Sequence, residues 1–230
     1  MTAPSPSPQG LLVAIDDRIS ARSLLKHPFY RNWSAGALTL DALRGYARQY
    51  YHHVLAFPTY VSGAHANCDD LADRQTLLDN LLEEEQGEDN HPELWLRFCQ
   101  SLGLRRQEVV GSPLLPQTRA LIDTYRGITK DGSFVEAVAA LYAYESQVPE
   151  VAATKIDGLR RFYGIEDRRG LQFFIVHKSL DVEHAAATRG LIAKYAASGH
   201  EQQKALDAVD RCLGALWGFL DGVHGEYVDR

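Results

Sequence analysis

The stretch HKSLDVEH, residues 177–184, places two histidines and an aspartate at offsets 0, 4 and 7. At about 100° per residue of an α-helix, His177, Asp181 and His184 project at about 0°, 40° and 340°, inside one sector of about 60°. Glu183 falls near about 240°, well off that face. The flanks, LQFFIV (171–176) and AAATRGLIAKYAA (185–197), are largely apolar, so the segment reads as a largely buried helix. Three polar side chains on one stripe of such a helix need partners, because an unpaired buried polar group is costly. The alternative is a stripe that faces solvent.

The same helical period runs through the rest of the chain. Apolar residues recur at helical spacing, and alternating strand patterns bounded by turn pairs are missing. Helices are expected over 10–25, 39–68, 70–87, 91–104, 112–129, 134–164, 170–197 and 201–227, with HPFYRNW (27–33) as a connector carrying its own aromatic cluster. Thr39 is placed to cap its helix, and Pro92 falls in a first helical turn. Pro58 and Pro149 are expected to kink theirs. There is no internal repeat and no linker-like stretch inside the chain. The fold class is therefore all-α, a helical bundle forming a single domain over residues 10–230. The start, MTAPSPSPQG, lacks a charged segment and an apolar segment. Residues 1–9 read as a disordered tail and not as a signal peptide.

Composition narrows the function. The chain has 230 residues, 45% of them hydrophobic, enough for a sizeable core, and a net charge of −6. With no block of Lys and Arg, neither nucleic acid nor an anionic membrane surface is an expected partner. No apolar run approaches the ~18 residues of a membrane span. Cys68, Cys99 and Cys212 are widely spaced and odd in number, so they read as free thiols of a cytoplasmic protein.

Two further segments carry chemistry-bearing residues. LLEEEQGEDNHP (81–92) holds Glu84 and His91 seven apart. In a straight helix that is about 10 Å of rise, too far for one ion. Gly87 permits a break, and a residue before proline is disfavoured in the helical region, so His91 can fold back toward Glu84. Glu83, Glu85, Glu88 and Asp89 are expected to face water. In AVAALYAYESQVPEV (137–151), Glu145 is the only charge between Glu136 and Glu150, in an apolar stretch. Such a carboxylate pairs with a cation or binds a metal. Three carboxylates and three imidazoles on three helical segments form the ligand inventory of a dinuclear carboxylate site in a bundle. Zinc does not suit the set, since no cysteine joins and six ligands exceed one tetrahedral ion.

The pattern Glu84, His91, Glu145, His177-x-x-x-Asp181-x-x-His184 resembles that of the haem-oxygenase-like di-metal oxidases. The resemblance extends over about residues 10 to 228. It is strongest to the branch of para-aminobenzoate synthases that includes the chlamydial death-domain-associating protein. The pyrroloquinoline quinone synthesis and thiaminase-like proteins are more distant. The resemblance implies a bundle of about seven to nine helices. It also implies two metal ions, iron with iron or iron with manganese, that use O₂ and an external reductant. In that branch the product ring comes from a tyrosine of the protein and its nitrogen from a lysine, so the chain turns over once, for folate synthesis. Carried over by position, Tyr30 is the ring donor, with Tyr46 as a second candidate; Tyr144 adjoins Glu145, and Lys155 is the amino donor. On this reading no external organic substrate is needed. The apolar C-terminal LGALWGFL (213–220) is either core or a face for the expected homodimer. The rival expectations are a di-iron oxidase acting on an external fatty or amino acid, and a non-enzymatic interaction module.

Overall fold

The structure, a computed structural model, describes residues 8–229. Among these residues the chain forms helices and no strand. The α-helices are α1 (Pro8–Ala21), α2 (Pro28–Ser34), α3 (Leu40–Ala66), α4 (Leu71–Glu85), α5 (His91–Ser101), α6 (Arg106–Val110), α7 (Pro116–Asp131), α8 (Phe134–Glu145), α9 (Val148–Phe162), α10 (Arg168–Tyr195) and α11 (Gly199–Tyr227). A 3₁₀ turn occupies Leu24–Lys26. The all-α expectation holds. The count exceeds seven to nine by two short helices, α2 of 7 residues and α6 of 5 residues. Of the expected tail, Pro8 and Gln9 already belong to α1, and residues 1–7 lie outside the described residues.

The differences from the sequence reading have local causes. HPFYRNW is a helix and not a connector. Pro28 opens α2 with its φ preset, and the ring of His27 accepts a hydrogen bond from the Phe29 backbone N–H at 3.0 Å. α3 runs through Pro58 as one 27-residue helix, capped as expected by Thr39, which accepts from Ala42 N–H. The long segment 134–164 divides into α8 and α9 at Ser146–Gln147, not at Pro149. Pro149 sits in the first turn of α9, where its missing N–H costs nothing. Gln147 secures the break: its side-chain N–H donates to Ala143 O at 2.8 Å, and its Oε1 accepts from Leu24 N–H at 2.9 Å.

α8 is the axis of the bundle. Every residue from Ala137 to Glu145 is buried, as expected of a helix that is apolar all round. It packs against both long C-terminal helices, α10 and α11, and against α3 and α7. α10 also lies on α9 and α5, and α3 on α4 and α5. Glu84, His91, Glu145 and the 177–184 stripe are thereby brought to one place inside the bundle. The three cysteines are free and buried. None of the described helices is long and apolar enough to cross a membrane.

Candidate metal centre

α10 presents a buried stripe at Phe173, His177, Asp181, His184 and Thr188, steps of four, four, three and four that keep one face in register. The rest of the helix is less buried than its flanks suggest. Lys178, Ser179, Val182 and Glu183 are exposed, so the three site residues lie on the inner face of a half-exposed helix.

α4 and α5 supply the second part. α4 stops at Glu85, and Gly87 adopts a φ of +79°, a conformation that side chains other than glycine's rarely take. Asn90 is the extended residue, and its side chain caps α5 by accepting from Glu93 N–H. His91 is consequently the first residue of α5 and not the extended one, because the cap fixes where the helix starts. The reversal carries His91 Nδ1 to 2.6 Å from Glu84 Oε2. Both side chains are buried.

Glu145, at the end of α8, is fully buried. Among the described residues no lysine or arginine pairs with it, unlike a structural salt bridge. Asn80 Nδ2 donates to its Oε1 at 2.8 Å, and the Thr188 hydroxyl lies 3.4 Å from its Oε2.

The ligand atoms sort into two triads. Those of Glu84, His91 and His177 lie within 4.8 Å of one another, and so do those of Glu145, Asp181 and His184. His177 therefore joins Glu84 and His91, and Glu145 groups with Asp181 and His184. The two triads adjoin, the Glu84 charge of the first acting on both Asp181 and Glu145 of the second; within the first, the rings of His91 and His177 are 4.2 Å apart.

Electrostatics show a site short of positive charge. Burial, with the Asp181 charge adding, pushes the Glu145 carboxyl up to about 7. Burial likewise raises Asp181 to about 6, against the pull of His184. Burial disfavours the charged form of His184, but the adjoining Asp181 and Glu145 override it and raise this histidine to about 9. His91 is also raised, Glu84 outweighing burial, whereas burial and the neighbouring His91 hold His177 well below its ordinary value. Asp181 Oδ2 and His184 Nδ1 are buried with no hydrogen-bond partner. Hard carboxylate and borderline imidazole donors, with two inward atoms unpaired, fit a pair of divalent transition-metal ions.

Beside the triads lies an aromatic and cationic cluster. Tyr30 on α2, Tyr46 on α3 and Lys155 on α9 are all buried. The Tyr46 hydroxyl sits between the other two, 3.0 Å from Tyr30 Oη and 2.7 Å from Lys155 Nζ. Lys155 Nζ lies 5.2 Å from the Tyr30 ring centroid and 4.7 Å from that of Tyr50. With no carboxylate to compensate, burial lowers Lys155 to about 7, and it raises the Tyr30 and Tyr46 phenols. Tyr144, next to Glu145, meets Tyr50 hydroxyl to hydroxyl. Tyr30, Tyr50, Tyr144, Lys155, Phe173 and His177 line one narrow enclosed cavity with room for about one water molecule.

Five residues at or near the site escaped sequence reasoning. Thr188 continues the α10 stripe one turn beyond His184, and Asn80 lies one turn before Glu84 on α4, so helical spacing could have found both. Tyr50 and His53 follow Tyr46 on α3 by four and seven residues, so the same spacing could have found them; Glu83 carries no such signal. Glu83, expected to face water, reaches His184 Nε2 at 2.9 Å. His53 is fully buried among Tyr50, Tyr60, Tyr125 and Tyr144, with both ring nitrogens unpaired.

Comparison with known proteins places this architecture. The 4-aminobenzoate synthase of Nitrosomonas europaea is 44% identical over 222 residues, 93% of this chain and 90% of that one. The 4-aminobenzoate synthase of Chlamydia muridarum is 40% identical over 207 residues, 90% of this chain and 87% of that one. Among solved structures, a CADD-like protein of unknown function from Nostoc punctiforme shares the fold with a TM-score of 0.79 at 17% identity, covering 96% of this chain and 98% of its own. The profile of a haem-oxygenase-like family described as iron-containing redox enzyme matches residues 44–217, a span holding both triads and Lys155, and the chain belongs to that family of redox enzymes.

Proposed function

We propose that this chain is an oxygen-dependent synthase of 4-aminobenzoate, feeding folate synthesis, that draws the product's ring and nitrogen from its own side chains. Two relatives at 44% and 40% identity bear that name. Glu84, His91 and His177 would hold one ion of iron, and Glu145, Asp181 and His184 a second, of iron or manganese. Three carboxylates offset most of the four charges of two divalent ions. Bound there, such ions would supply the redox chemistry for dioxygen, with electrons replaced by an external reductant.

The chain's own residues do the rest. Tyr30 offers the ring. Tyr46 holds the Tyr30 hydroxyl and the Lys155 amine on one oxygen, fixing donor ring and donor nitrogen side by side. Burial leaves about half of Lys155 as free amine near pH 7, so its lone pair is available. Tyr50 and Tyr144 wall the cavity between His177 and that pair and exclude water. The observation that carries this reading is the cavity itself: beside His177, Tyr30, Tyr50, Tyr144 and Lys155 line a narrow space with room for about one water molecule, which supports a reaction on the chain's own side chains. On this reading O₂ and a reductant would be its partners.

The test is to supply purified protein with Fe(II), a reductant and O₂, without any organic substrate, and to seek 4-aminobenzoate by mass spectrometry. Product at or below one equivalent per chain is the expected result. Bound iron with no product would turn the reading to an oxidase acting on an external small molecule.

A further inference from the structure

The two triads are not equivalent, and the difference lies behind their histidines. A neutral imidazole has one nitrogen that carries a proton and one that offers a lone pair. His177 Nδ1 stands 2.6 Å from the backbone carbonyl of Phe173. That carbonyl only accepts, so Nδ1 carries the proton and Nε2 keeps the lone pair. His184 is held the other way round. Its Nε2 lies 2.9 Å from Glu83 Oε2, while its Nδ1 is buried, without a hydrogen-bond partner, and 3.7 Å from Asp181 Oδ1. An ionised carboxylate likewise only accepts, so Nε2–H donates to Glu83, and in the neutral, ligating form of the ring the Nδ1 lone pair points inward. One histidine is backed by a neutral carbonyl of its own helix, and the other by a charged carboxylate from a different helix, α4.

We infer that Glu83 is a positioning residue for divalent-metal binding, fixing the tautomer and orientation of His184 and so setting the affinity of the Glu145–Asp181–His184 triad alone. The inference rests on the dinuclear reading above. A carboxylate behind a ligating imidazole makes it a stronger donor and locks the ring, and losing such a partner typically costs about 10- to 100-fold in metal affinity. Glu83 also joins this triad to the surface. Its side chain is 42% exposed, whereas that of His184 is 10% exposed. Behind His177 of the other triad stands the carbonyl of the buried Phe173.

The experiment is an anaerobic titration of Co(II) into the full chain. It reads bound-metal stoichiometry by elemental analysis and ligand environment from the visible absorption of the ion. Wild type is expected to bind two ions. Glu83→Ala should keep one tight site and weaken the other by about 10- to 100-fold. Glu83→Gln retains an oxygen that accepts from Nε2–H and should recover most of that loss. Glu85→Ala, a neighbouring exposed carboxylate, should behave as wild type, showing that lost surface charge is not the cause. If Glu83→Ala bound both ions with wild-type affinity, the inference would be overturned. Glu83→Gln as weak as Glu83→Ala would also overturn it, since Glu83 would then be acting as a direct ligand. Wild type binding fewer than two ions would remove the dinuclear reading, and this inference with it.

Discussion

At the scale of single residues, the cluster of Tyr30, Tyr46 and Lys155 sets charge against burial. A lysine held to about 7 costs the fold free energy whenever it is charged. In the unfolded chain it titrates near the ordinary 10.5, so between about pH 7 and 10.5 the unfolded state binds more protons. The penalty is complete below about pH 7, roughly 3–5 kcal/mol, and fades as pH rises toward 10.5. Lys155→Met should accordingly be more stable than wild type at pH 6.5, with the difference shrinking above pH 9, and should make no 4-aminobenzoate. Thermal melts across that range, with product assays beside them, check both halves. Tyr30→Phe keeps the ring's packing and loses only the hydroxyl bond to Tyr46, a cost of about 1 kcal/mol. It should bind metal as wild type does and yield no product; undiminished product would remove Tyr30 as the ring donor. The metal-site candidates were legible in the sequence because helical spacing puts His177, Asp181 and His184 on one face and because Glu145 is a lone charge. The sorting into triads was not, since it depends on how α4, α5, α8 and α10 meet. Glu83 was hidden inside an acidic run in which it is itself exposed, as are Glu85, Glu88 and Asp89.

At the scale of elements, the placement of α9 decides where Lys155 points. Gly158, one turn after Lys155, lies against Trp33 of α2: a Cβ there would stand 2.6 Å from Trp33 Cδ1. The helices approach this closely only because that position has no side chain, and the Trp33 indole N–H reaches the Lys155 carbonyl at 3.4 Å. Gly158→Ala should therefore force α9 outward, destabilise the fold by about 1–3 kcal/mol and displace the Lys155 amine from Tyr46. Product should fall while metal content, carried by other helices, stays unchanged. A variant with wild-type stability and product would show that α9 can shift without disturbing the pair. Proline was the least reliable punctuation at this scale. Pro149 and Pro28 start helices, and Pro58 sits within one. The sequence marks each proline, but whether it starts, kinks or merely joins a helix depends on neighbouring caps such as His27 and Gln147.

At the scale of the whole molecule, the bundle buries three carboxylates and three imidazoles together, and the metal-free chain retains protons there. Glu145 holds its proton up to about pH 7, Asp181 to about 6, and His184 to about 9. An incoming ion must displace these protons, so its affinity falls as pH drops through those values. Any ligand that binds only the folded state stabilises it, by about 2.7 kcal/mol at a hundredfold excess over its dissociation constant. Both effects act on the same measurement, the rise in melting temperature when metal is added at fixed concentration. Comparing loaded with metal-free protein at each pH cancels groups the ion does not touch, Lys155 and His53 among them, although their own titrations tilt the stability of both forms. With Mn(II), which avoids oxygen chemistry, the rise should be larger at pH 8 than at pH 6, and chelator should abolish it at both. A rise independent of pH would mean that the ion displaces no protons and that Glu145, Asp181 and His184 are not its ligands.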